Sequence, residues 1–536
     1  MKKNEVYEVT IEDISTDGEG IGHIAVNDSR VTIFIKDTVV GDRIRARIIK
    51  VKKTYVYGRL EQLLTPSPYR VEARCRNARS CGGCTLMHMS YDKQLEYKWN
   101  TVKNCLTRIG GLCDVEERME PISGMAHPYE YRNKMQFPVG VDKNGKVVIG
   151  FYAGHTHSII DLNRCEIGHP VNNYILRELR PWLQKWQDRK PDFIYREEMH
   201  TGLLRHVLIR VGYTTGEIMV CLVMNGTKLP EGAGKELIGI LEKAVEDYNQ
   251  DMIAAPIQNR NDRSDISCSA KQERVDNTGI CKLASVVINI NQDKTNKILG
   301  DTCDTLYGSS YISDYIGDVE FRISAMSFYQ VNPVQTKVLY DKAVEYAGLT
   351  GREIVWDLYC GIGTISLNLA KKAGKVYGVE IVPQAIEDAK RNAEINGITN
   401  VEFYCGKAED VVPEYYKNRS GQEEAHPDVI VVDPPRKGCD PELLTTMIEM
   451  APKRIVYVSC NPSTLARDLK LLTESEYEVQ KVGVVDQFCH STHVETVCVL
   501  GNTKRKPDDY LRVNIDVDKI HEILDQERTE KEAKKI

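Results

Sequence analysis

The chain has 536 residues, 42% of them hydrophobic, and a formal net charge of −6. That length predicts about two to four domains, and a charge so close to neutral means that only local patches could identify a nucleic-acid binder. Sixteen cysteines scattered over so long a chain are not typical of a disulfide framework. No apolar leader and no membrane-spanning run occur, so we expect a cytoplasmic protein without a membrane partner.

The first segment, residues 1–62, predicts a small all-β barrel, because short alternating runs are separated by glycine turns. Between Arg43 and Arg59 there are seven basic residues and no acidic one. Arg43, Arg45 and Arg47 alternate with apolar residues, which places them on one face of a strand. That face is either an ordinary solvated surface or a surface that follows nucleic-acid phosphates, as in oligonucleotide-binding barrels.

Residues 69–325 predict a central, strand-rich α+β domain. It follows a linker marked by Pro66 and Pro68, and residues 91–109 carry apolar side chains at helical spacing. The stretch 253–280 is rich in Asn, Asp, Arg and Ser and poor in apolar residues. It therefore predicts a flexible insertion rather than part of a core.

Three cysteines stand within ten residues near the start of this domain, and a fourth lies downstream: Cys75, Cys81, Cys84 and Cys165. Two glycines between the second and the third allow the chain to wrap tightly around a bound group. A set of four thiolates favours a 4Fe–4S cluster. Zinc, which more often takes Cys-x2-Cys pairs, is one alternative, and the absence of any metal is the other.

The segment 326–503 alternates strands and helices, which indicates a largely parallel, Rossmann-like α/β sheet. Its last two strands are close together in sequence and predict an antiparallel edge. The predicted strands are 353–358, 375–380, 401–405, 428–433, 454–459, 481–487 and 494–500. The predicted helices are 334–347, 364–373, 383–396, 441–451 and 463–473. A charged tail, residues 504–536, follows.

A nucleoside cofactor site is predicted at the turn Gly361-Ile362-Gly363, which follows a strand and opens a helix. Glycines at such a turn let the backbone approach a ligand closely. Glu380 ends the next strand, where an acid typically accepts hydrogen bonds from ribose hydroxyls. The short turn has no third glycine, so it fits S-adenosylmethionine better than a dinucleotide. The alternatives are an ordinary strand–helix turn and a surface acid.

A nucleophile is predicted at Cys460, which follows a strand in Ser459-Cys460-Asn461-Pro462, with Asp433-Pro434-Pro435-Arg436 at another strand end. The alternative is a small buried apolar residue, the usual fate of a free cysteine. A thiolate with a lowered pKa can add to carbon 6 of a pyrimidine, which makes carbon 5 nucleophilic toward a methyl donor. A base must then remove the carbon 5 proton. The candidates, which could equally form a polar cluster at an edge strand, are His490, His493 and Glu495.

In this order, the motifs resemble the RNA uracil-5 methyltransferase family, specifically its iron–sulfur, TRAM-containing branch that acts on 23S ribosomal RNA. The resemblance extends from Met1 to about Leu500 and omits the insertion and the tail. The residues that carry it are Cys75-x5-Cys81-x2-Cys84 with Cys165, Phe328-Tyr329-Gln330-Val331-Asn332-Pro333, Asp357-Leu358-Tyr359-Cys360-Gly361, Asp433-Pro434-Pro435-Arg436, Ser459-Cys460-Asn461-Pro462 and His493-Val494-Glu495.

The resemblance implies a TRAM barrel, a central RNA-binding domain that holds the cluster through its four cysteines, and a class I methyltransferase domain. It also implies that Cys460 is the nucleophile and Glu495 the proton acceptor. The residues implied to bind S-adenosylmethionine are Gln330, Tyr359, Glu380 and Asp433, with Thr364 as a weaker contact because the family often has Asn there. The implied partner is 23S ribosomal RNA, and no obligate protein partner is evident.

Two other interpretations are open. One is a tRNA uracil-5 or an RNA cytosine-5 methyltransferase; the cysteine set and the barrel argue against the tRNA branch. Arg436 stands where a cytosine enzyme would more often have cysteine. The other is an iron–sulfur RNA-binding protein without catalysis, against which the intact set of site residues argues.

Overall fold

A computed structural model describes residues 1–26, 29–154, 156–254, 279–417 and 426–504. Most of the predicted insertion at 253–280, and all of the predicted tail after Lys504, lie outside these described residues. In the described part, no helix is long and apolar enough to cross a bilayer. The chain forms a barrel, then a central sheet with helices, then a second, mostly parallel sheet.

The N-terminal barrel is closed by five strands in the order β1-β2-β3-β5-β4. The strands are β1 Val6–Ile14, β2 Gly20–Val26, β3 Ser29–Ile35, β4 Arg43–Val51 and β5 Tyr55–Thr65. The predicted alternation on β4 is confirmed, because Ile44, Ala46 and Ile48 are fully buried while Arg43 and Arg45 are exposed. The arginine face is not free, however. Glu8 contacts Arg43 and Arg45 at 3.0 and 3.4 Å, and Glu61 pairs with Arg47.

The central region contains a seven-stranded sheet in the order β12-β11-β10-β9-β6-β7-β8 and a hairpin, β13-β14. Two helices, α2 and α3, share a buried core with the sheet. The helices are α1 Tyr91–Arg108, α2 Val171–Arg189 and α3 Ala233–Ala254, with 3-10 turns at Val115–Arg118 and Glu197–Met199. The strands are β6 Lys134–Val141, β7 Val147–Tyr152, β8 Ile159–Asp161, β9 Leu204–Val211, β10 Glu217–Met224, β11 Lys282–Ile290, β12 Thr302–Gly308, β13 Tyr311–Ile316 and β14 Val319–Ser324.

The C-terminal sheet has the order β17-β16-β15-β18-β19-β21-β20, and cores lie on both of its faces. Its first five strands are parallel, and β21 runs antiparallel between β19 and β20, as predicted. The strands are β15 Ile354–Asp357, β16 Lys375–Glu380, β17 Val401–Cys405, β18 Val429–Val432, β19 Arg454–Ser459, β20 Tyr477–Val485 and β21 Glu495–Asn502. The helices are α4 Pro333–Ala347, α5 Thr364–Ala370, α6 Pro383–Ile395, α7 Ala408–Lys417, α8 Pro441–Met450 and α9 Pro462–Thr473.

This sheet places the predicted motifs at one edge. The strand order reverses between β15 and β18, and ligands of open α/β sheets bind at the carboxyl ends of the strands beside such a switch point. Asp357, Glu380 and Asp433 end or follow β15, β16 and β18, and Cys460 follows β19. The fold therefore brings four sequence-distant motifs to one cleft.

Helix α1 ties the central region to this sheet. Its Val102 and Leu106 are buried in the same core as the C-terminal helices. Lys98 of α1 forms a fully buried ion pair with Asp486, and its Nζ also donates to the Phe488 carbonyl at 2.9 Å. A buried charge needs such complete pairing. The pair therefore fixes the segment between β20 and β21, which leads into Glu495.

Candidate functional site

The turn after β15 leaves room for a ligand. Gly361 and Gly363 have φ of +54° and +85°, which favour glycine, and a Cβ on Gly361 would meet no atom within 4 Å. Glu380 faces this turn. Its carboxylate accepts hydrogen bonds from the Gly361 N–H at 3.2 Å and from the Val382 N–H at 2.9 Å. These contacts hold the acid where ribose hydroxyls would meet it.

The other predicted cofactor contacts surround the same cleft. Gln330 is buried, and its side-chain oxygen accepts a hydrogen bond from Gln487 at 3.4 Å. Tyr359 is half-buried directly after β15. Thr364 opens α5, and its hydroxyl lies 3.1 Å from the hydroxyl of Tyr340. Tyr340 was not predicted from the sequence; its position in α4, one residue after buried Leu339, gave no signal beyond a core residue.

Three carboxyl groups, those of Asp357, Asp433 and Glu495, lie at this edge of the sheet. Burial raises the pKa of Asp357 to about 6, against the hydrogen bond that Ser366 donates at 2.6 Å. Burial and then the charge of Asp357 raise the pKa of Asp433, and burial and then Asp433 raise the pKa of Glu495. Each negative charge is thus disfavoured by its neighbour. A cation bound beside them would relieve this repulsion, and the sulfonium of S-adenosylmethionine is such a cation.

Cys460 lies near two of these carboxyl groups, those of Glu495 and Asp433. Burial, then Glu495, then Asp433 raise the pKa of the Cys460 thiol to about 11, against the charge of Arg436 and a backbone hydrogen bond, which lower it. The expectation of a lowered pKa is therefore wrong for the protein alone, because desolvation and two acids outweigh one arginine and one hydrogen bond.

The two motif loops are joined by Asn461. Its side-chain Nδ2 donates to the Arg436 carbonyl at 3.1 Å, and its Oδ1 caps α9 by accepting from the Ser463 N–H at 3.0 Å. Thr464 of the same helix also donates to the Arg436 carbonyl, at 3.2 Å. The loop after β18 and the loop after β19 therefore hold Cys460 and Arg436 in a fixed relation.

The structure separates the three base candidates. His490 has φ of +66°, is buried, and stacks on Tyr129 of the central region at 4.6 Å between centroids. His493 lies 3.4 Å from Arg436, and burial lowers its pKa. Glu495 is buried at the start of β21, and its Oε2 has no hydrogen-bond partner among the described residues. An acceptor without a partner, close to Cys460, suits a proton acceptor best.

The four predicted cluster cysteines come together. Burial is the main cause that raises the pKa of the Cys81, Cys84 and Cys165 thiols. A second cause is charge on the other thiols of the set, that of Cys75 included. Three of them, Cys75, Cys84 and Cys165, pack against a small apolar core that includes Cys489, in the segment before β21. In the part of the chain that the structure describes, however, no three His, Cys, Asp or Glu side chains are arranged to hold a metal ion.

Comparisons with known proteins agree with this architecture. A family model described as tRNA (Uracil-5-)-methyltransferase matches residues 289–503, and a TRAM domain model matches residues 2–60. An uncharacterized RNA methyltransferase of Halalkalibacterium halodurans is 46% identical over 500 residues, covering 93% of this chain and 98% of that protein. One of Clostridium tetani is 44% identical over 500 residues, covering 93% of this chain and 97% of that protein.

A solved structure resembles nearly the whole chain. It is the crystal structure of the Pyrococcus abyssi tRNA (uracil-54, C5)-methyltransferase in complex with S-adenosyl-L-homocysteine, with 26% sequence identity and a TM-score of 0.65. The similarity covers 92% of this chain and 100% of that chain. The predicted fold class, a small N-terminal barrel with a Rossmann-like methyltransferase domain, is thereby confirmed.

A parallel sheet with a glycine turn, an acid that accepts a hydrogen bond from this turn and a cluster of acids at its switch point, together with these comparisons, defines an S-adenosylmethionine-dependent methyltransferase. The sequence relatives and the family models identify the family within this class. The chain belongs to the RNA uracil-5 methyltransferase family and carries an RNA-binding TRAM domain at its N-terminus.

Proposed function

We propose that this RNA methyltransferase transfers a methyl group from S-adenosylmethionine to carbon 5 of a uridine in 23S ribosomal RNA. The observation that carries the proposal is the convergence of Cys460, Asp433 and Glu495 beside the Gly361 turn. A nucleophile, a base and a site for a cationic methyl donor are the three parts that this reaction needs.

In the proposed reaction, S-adenosylmethionine supplies an electrophilic methyl group. The Cys460 thiol first loses its proton, which the positive charges of Arg436 and of the bound sulfonium favour. Its Sγ then bonds to carbon 6, and carbon 5 bonds to the methyl group as the sulfonium bond breaks. Glu495 takes the carbon 5 proton, the carbon 5–carbon 6 double bond reforms, and the bond to Sγ breaks. The uridine must be flipped out of its stack to reach the cleft.

The identity of the RNA substrate is a separate part of the proposal. The four-cysteine set together with the TRAM barrel resembles the 23S branch. A tRNA uridine is the second candidate, because the similar Pyrococcus abyssi enzyme acts on tRNA by its name and covers nearly the whole chain. The overall architecture therefore does not separate the two substrates, contrary to the expectation that the barrel argues against tRNA.

The two candidates predict different products. We expect the purified protein, with methyl-labelled S-adenosylmethionine, to place 5-methyluridine in unmodified 23S ribosomal RNA and not in unmodified tRNA. Ribosomal RNA from cells that lack the gene should lose 5-methyluridine at the same position. Label confined to tRNA would establish the second candidate instead, and label in 5-methylcytidine would remove both.

We propose further that Cys75, Cys81, Cys84 and Cys165 hold a 4Fe–4S cluster. The support is the chemistry of the set: the four thiols lie near enough to one another to interact electrostatically, and iron–sulfur clusters are held by four such thiolates. A cluster is larger than one ion, so its ligands stand farther apart than those of a single metal. When bound, it would cross-link the 75–84 loop to Cys165. Zinc is the alternative occupant.

Iron content tests this proposal. Protein purified without oxygen should carry about four iron atoms per chain and absorb visible light, whereas a Cys84→Ser variant should lose most of the iron and most of the absorbance. Cys113→Ser is the matched control, since Cys113 is exposed and lies outside the set. Zinc in place of iron, or iron retained by the Cys84→Ser variant, would contradict the assignment.

A further inference from the structure

Three aromatic side chains stand together on the outer face of the N-terminal barrel. Phe34 on β3 lies 5.5 Å from Tyr55 and 5.8 Å from Tyr57 on β5, between ring centroids, and the two tyrosines are 5.5 Å apart. The two strands are parallel neighbours with Phe34 opposite Tyr57. We call Phe34, Tyr55 and Tyr57 the aromatic patch.

The aromatic patch is not part of the barrel core. Ile33, Ile35 and Val56 alternate with its rings and fill the interior, with exposures of 1% or less, whereas all three aromatic residues are only partly buried. Large aromatic side chains contribute most to stability when they are buried. Three rings held together in contact with solvent therefore indicate a surface that a ligand covers.

Unpaired positive charge borders the patch. Lys50 of β4 lies opposite Tyr57, and Lys52 and Lys53 form the turn before β5, where the Lys52 N–H donates to the Tyr55 carbonyl at 2.9 Å. All three lysines are exposed, and none forms an ion pair with a residue that the structure describes. The arginines of β4, by contrast, are already matched by Glu8 and Glu61.

The patch also adjoins the catalytic cleft. The turn at Gly18 packs against the segment before β21, because a Cβ on Gly18 would lie 3.0 Å from Thr492 Cγ2. The acids on either side of this turn, Asp17 and Glu19, are near enough to act on Tyr57 electrostatically. Thr492 in turn directly precedes His493. A strand that leaves the cleft along the barrel therefore passes this turn and then reaches the aromatic patch.

We propose that the aromatic patch is a stacking platform for unpaired bases that flank the target uridine, with the three lysines contacting their phosphates. Stacking on aromatic rings and a positive border are how barrels of this size hold single-stranded nucleic acid. The two acids lie on the cleft side of the patch, so the phosphates belong on the lysine side. This inference rests on the proposed function insofar as the strand is that of the RNA substrate.

Binding of single-stranded RNA tests the platform. The probe is a fluorescein-labelled oligouridylate of about twelve nucleotides, within the range that one barrel covers, and the readout is anisotropy at several salt concentrations. A Tyr55→Leu/Tyr57→Leu variant of the full chain should bind roughly 10- to 100-fold more weakly, because each lost stack weakens binding about 5-fold or more. Tyr57→Trp should bind like the wild type, since it keeps a stacking ring.

The charged faces supply the matched controls. A Lys52→Gln/Lys53→Gln variant should lower the slope of log affinity against log salt by about 1.4, which is about 0.7 for each lost phosphate contact on a single strand. Arg43→Gln/Arg45→Gln should change it less, because Glu8 already pairs with both arginines. A larger loss from the arginine variant, or equal binding by the leucine variant and the wild type, would overturn the platform.

A second arm does not depend on the folding of any variant. The wild-type protein should bind the same probe more tightly than a strand of equal length whose bases have been removed. Equal affinity of the wild type for the two strands sinks the inference. Failure of the proposed function is seen separately, in the methylation assay, where the wild type would then leave 23S ribosomal RNA without label.

Discussion

A Cys460→Ala variant is expected to lose methylation by roughly a thousandfold or more while it still binds S-adenosylmethionine. The loss is large because carbon 5 of uracil is not nucleophilic until a thiolate adds to carbon 6, so no other group can take over the step. Cofactor binding should persist, because Cys460 follows β19 while Glu380, the proposed ribose contact, ends β16. Methylation and equilibrium binding are measured with labelled cofactor on the same preparation.

Cys113→Ala is the control for this prediction, since Cys113 is exposed, lies before the first 3-10 turn and belongs to none of the predicted sites. It should leave methylation unchanged. If the Cys460→Ala variant turned over normally, the thiol mechanism would fail. If the wild type bound no S-adenosylmethionine, an RNA-binding protein without catalysis would become the better interpretation.

The raised pKa of the Cys460 thiol predicts a pH dependence for its reaction with an alkylating reagent. Only the thiolate reacts quickly with iodoacetamide, and the thiol loses its proton around pH 11 in the protein alone. The alkylation rate should therefore still be rising with pH above 9. Bound S-adenosylmethionine should shift this rise to lower pH through its positive charge, and the uncharged sulfur of S-adenosylhomocysteine should do so less.

The sequence was sufficient for the parts of the fold that depend on local pattern. Strands β16, β17 and β19 agree residue for residue with the predicted ranges. Strands β16 and β19 contain the apolar runs between turns that are typical of buried parallel strands, whereas β17, at the edge of the sheet, has no buried residue. Helix α7 was missed, since it is short and contains Pro413. Strand β20 begins at Tyr477 rather than at 481, because an irregularity between Val479 and Lys481 breaks the alternation.

The chemistry of the cleft was only partly accessible from the sequence. Motif spacing brought Glu380, Asp433 and Cys460 to strand ends, and the parallel sheet does the rest. Burial and mutual repulsion are properties of the folded arrangement, so the raised pKa of the Cys460 thiol could not be read from its neighbours in sequence. The ion pairs of Arg43 and Arg45 with Glu8 on β1 likewise depend on barrel closure.

Glu495→Gln is expected to trap the RNA on the enzyme. The amide cannot accept the carbon 5 proton, so the bond between Cys460 Sγ and carbon 6 persists after methyl transfer. We expect a covalent protein–RNA species to accumulate on denaturing gels and steady-state turnover to fall by roughly 100- to 10,000-fold, the usual contribution of a positioned base. Glu478→Gln, an exposed acid on β20 that pairs with Arg118, should change neither.

The pKa of Glu495 supplies a second, independent readout. Burial and the charge of Asp433 raise this pKa well above its usual value, and a base acts only when it is deprotonated. Resolution of the adduct by the wild type should therefore slow as the pH falls through this raised pKa, and it should do so at a higher pH than an ordinary glutamate would give. The Glu495→Gln variant should lack that pH dependence. Free turnover without an adduct in the variant would move the base role to another group, and His493, beside Arg436, would then be the residue to substitute next.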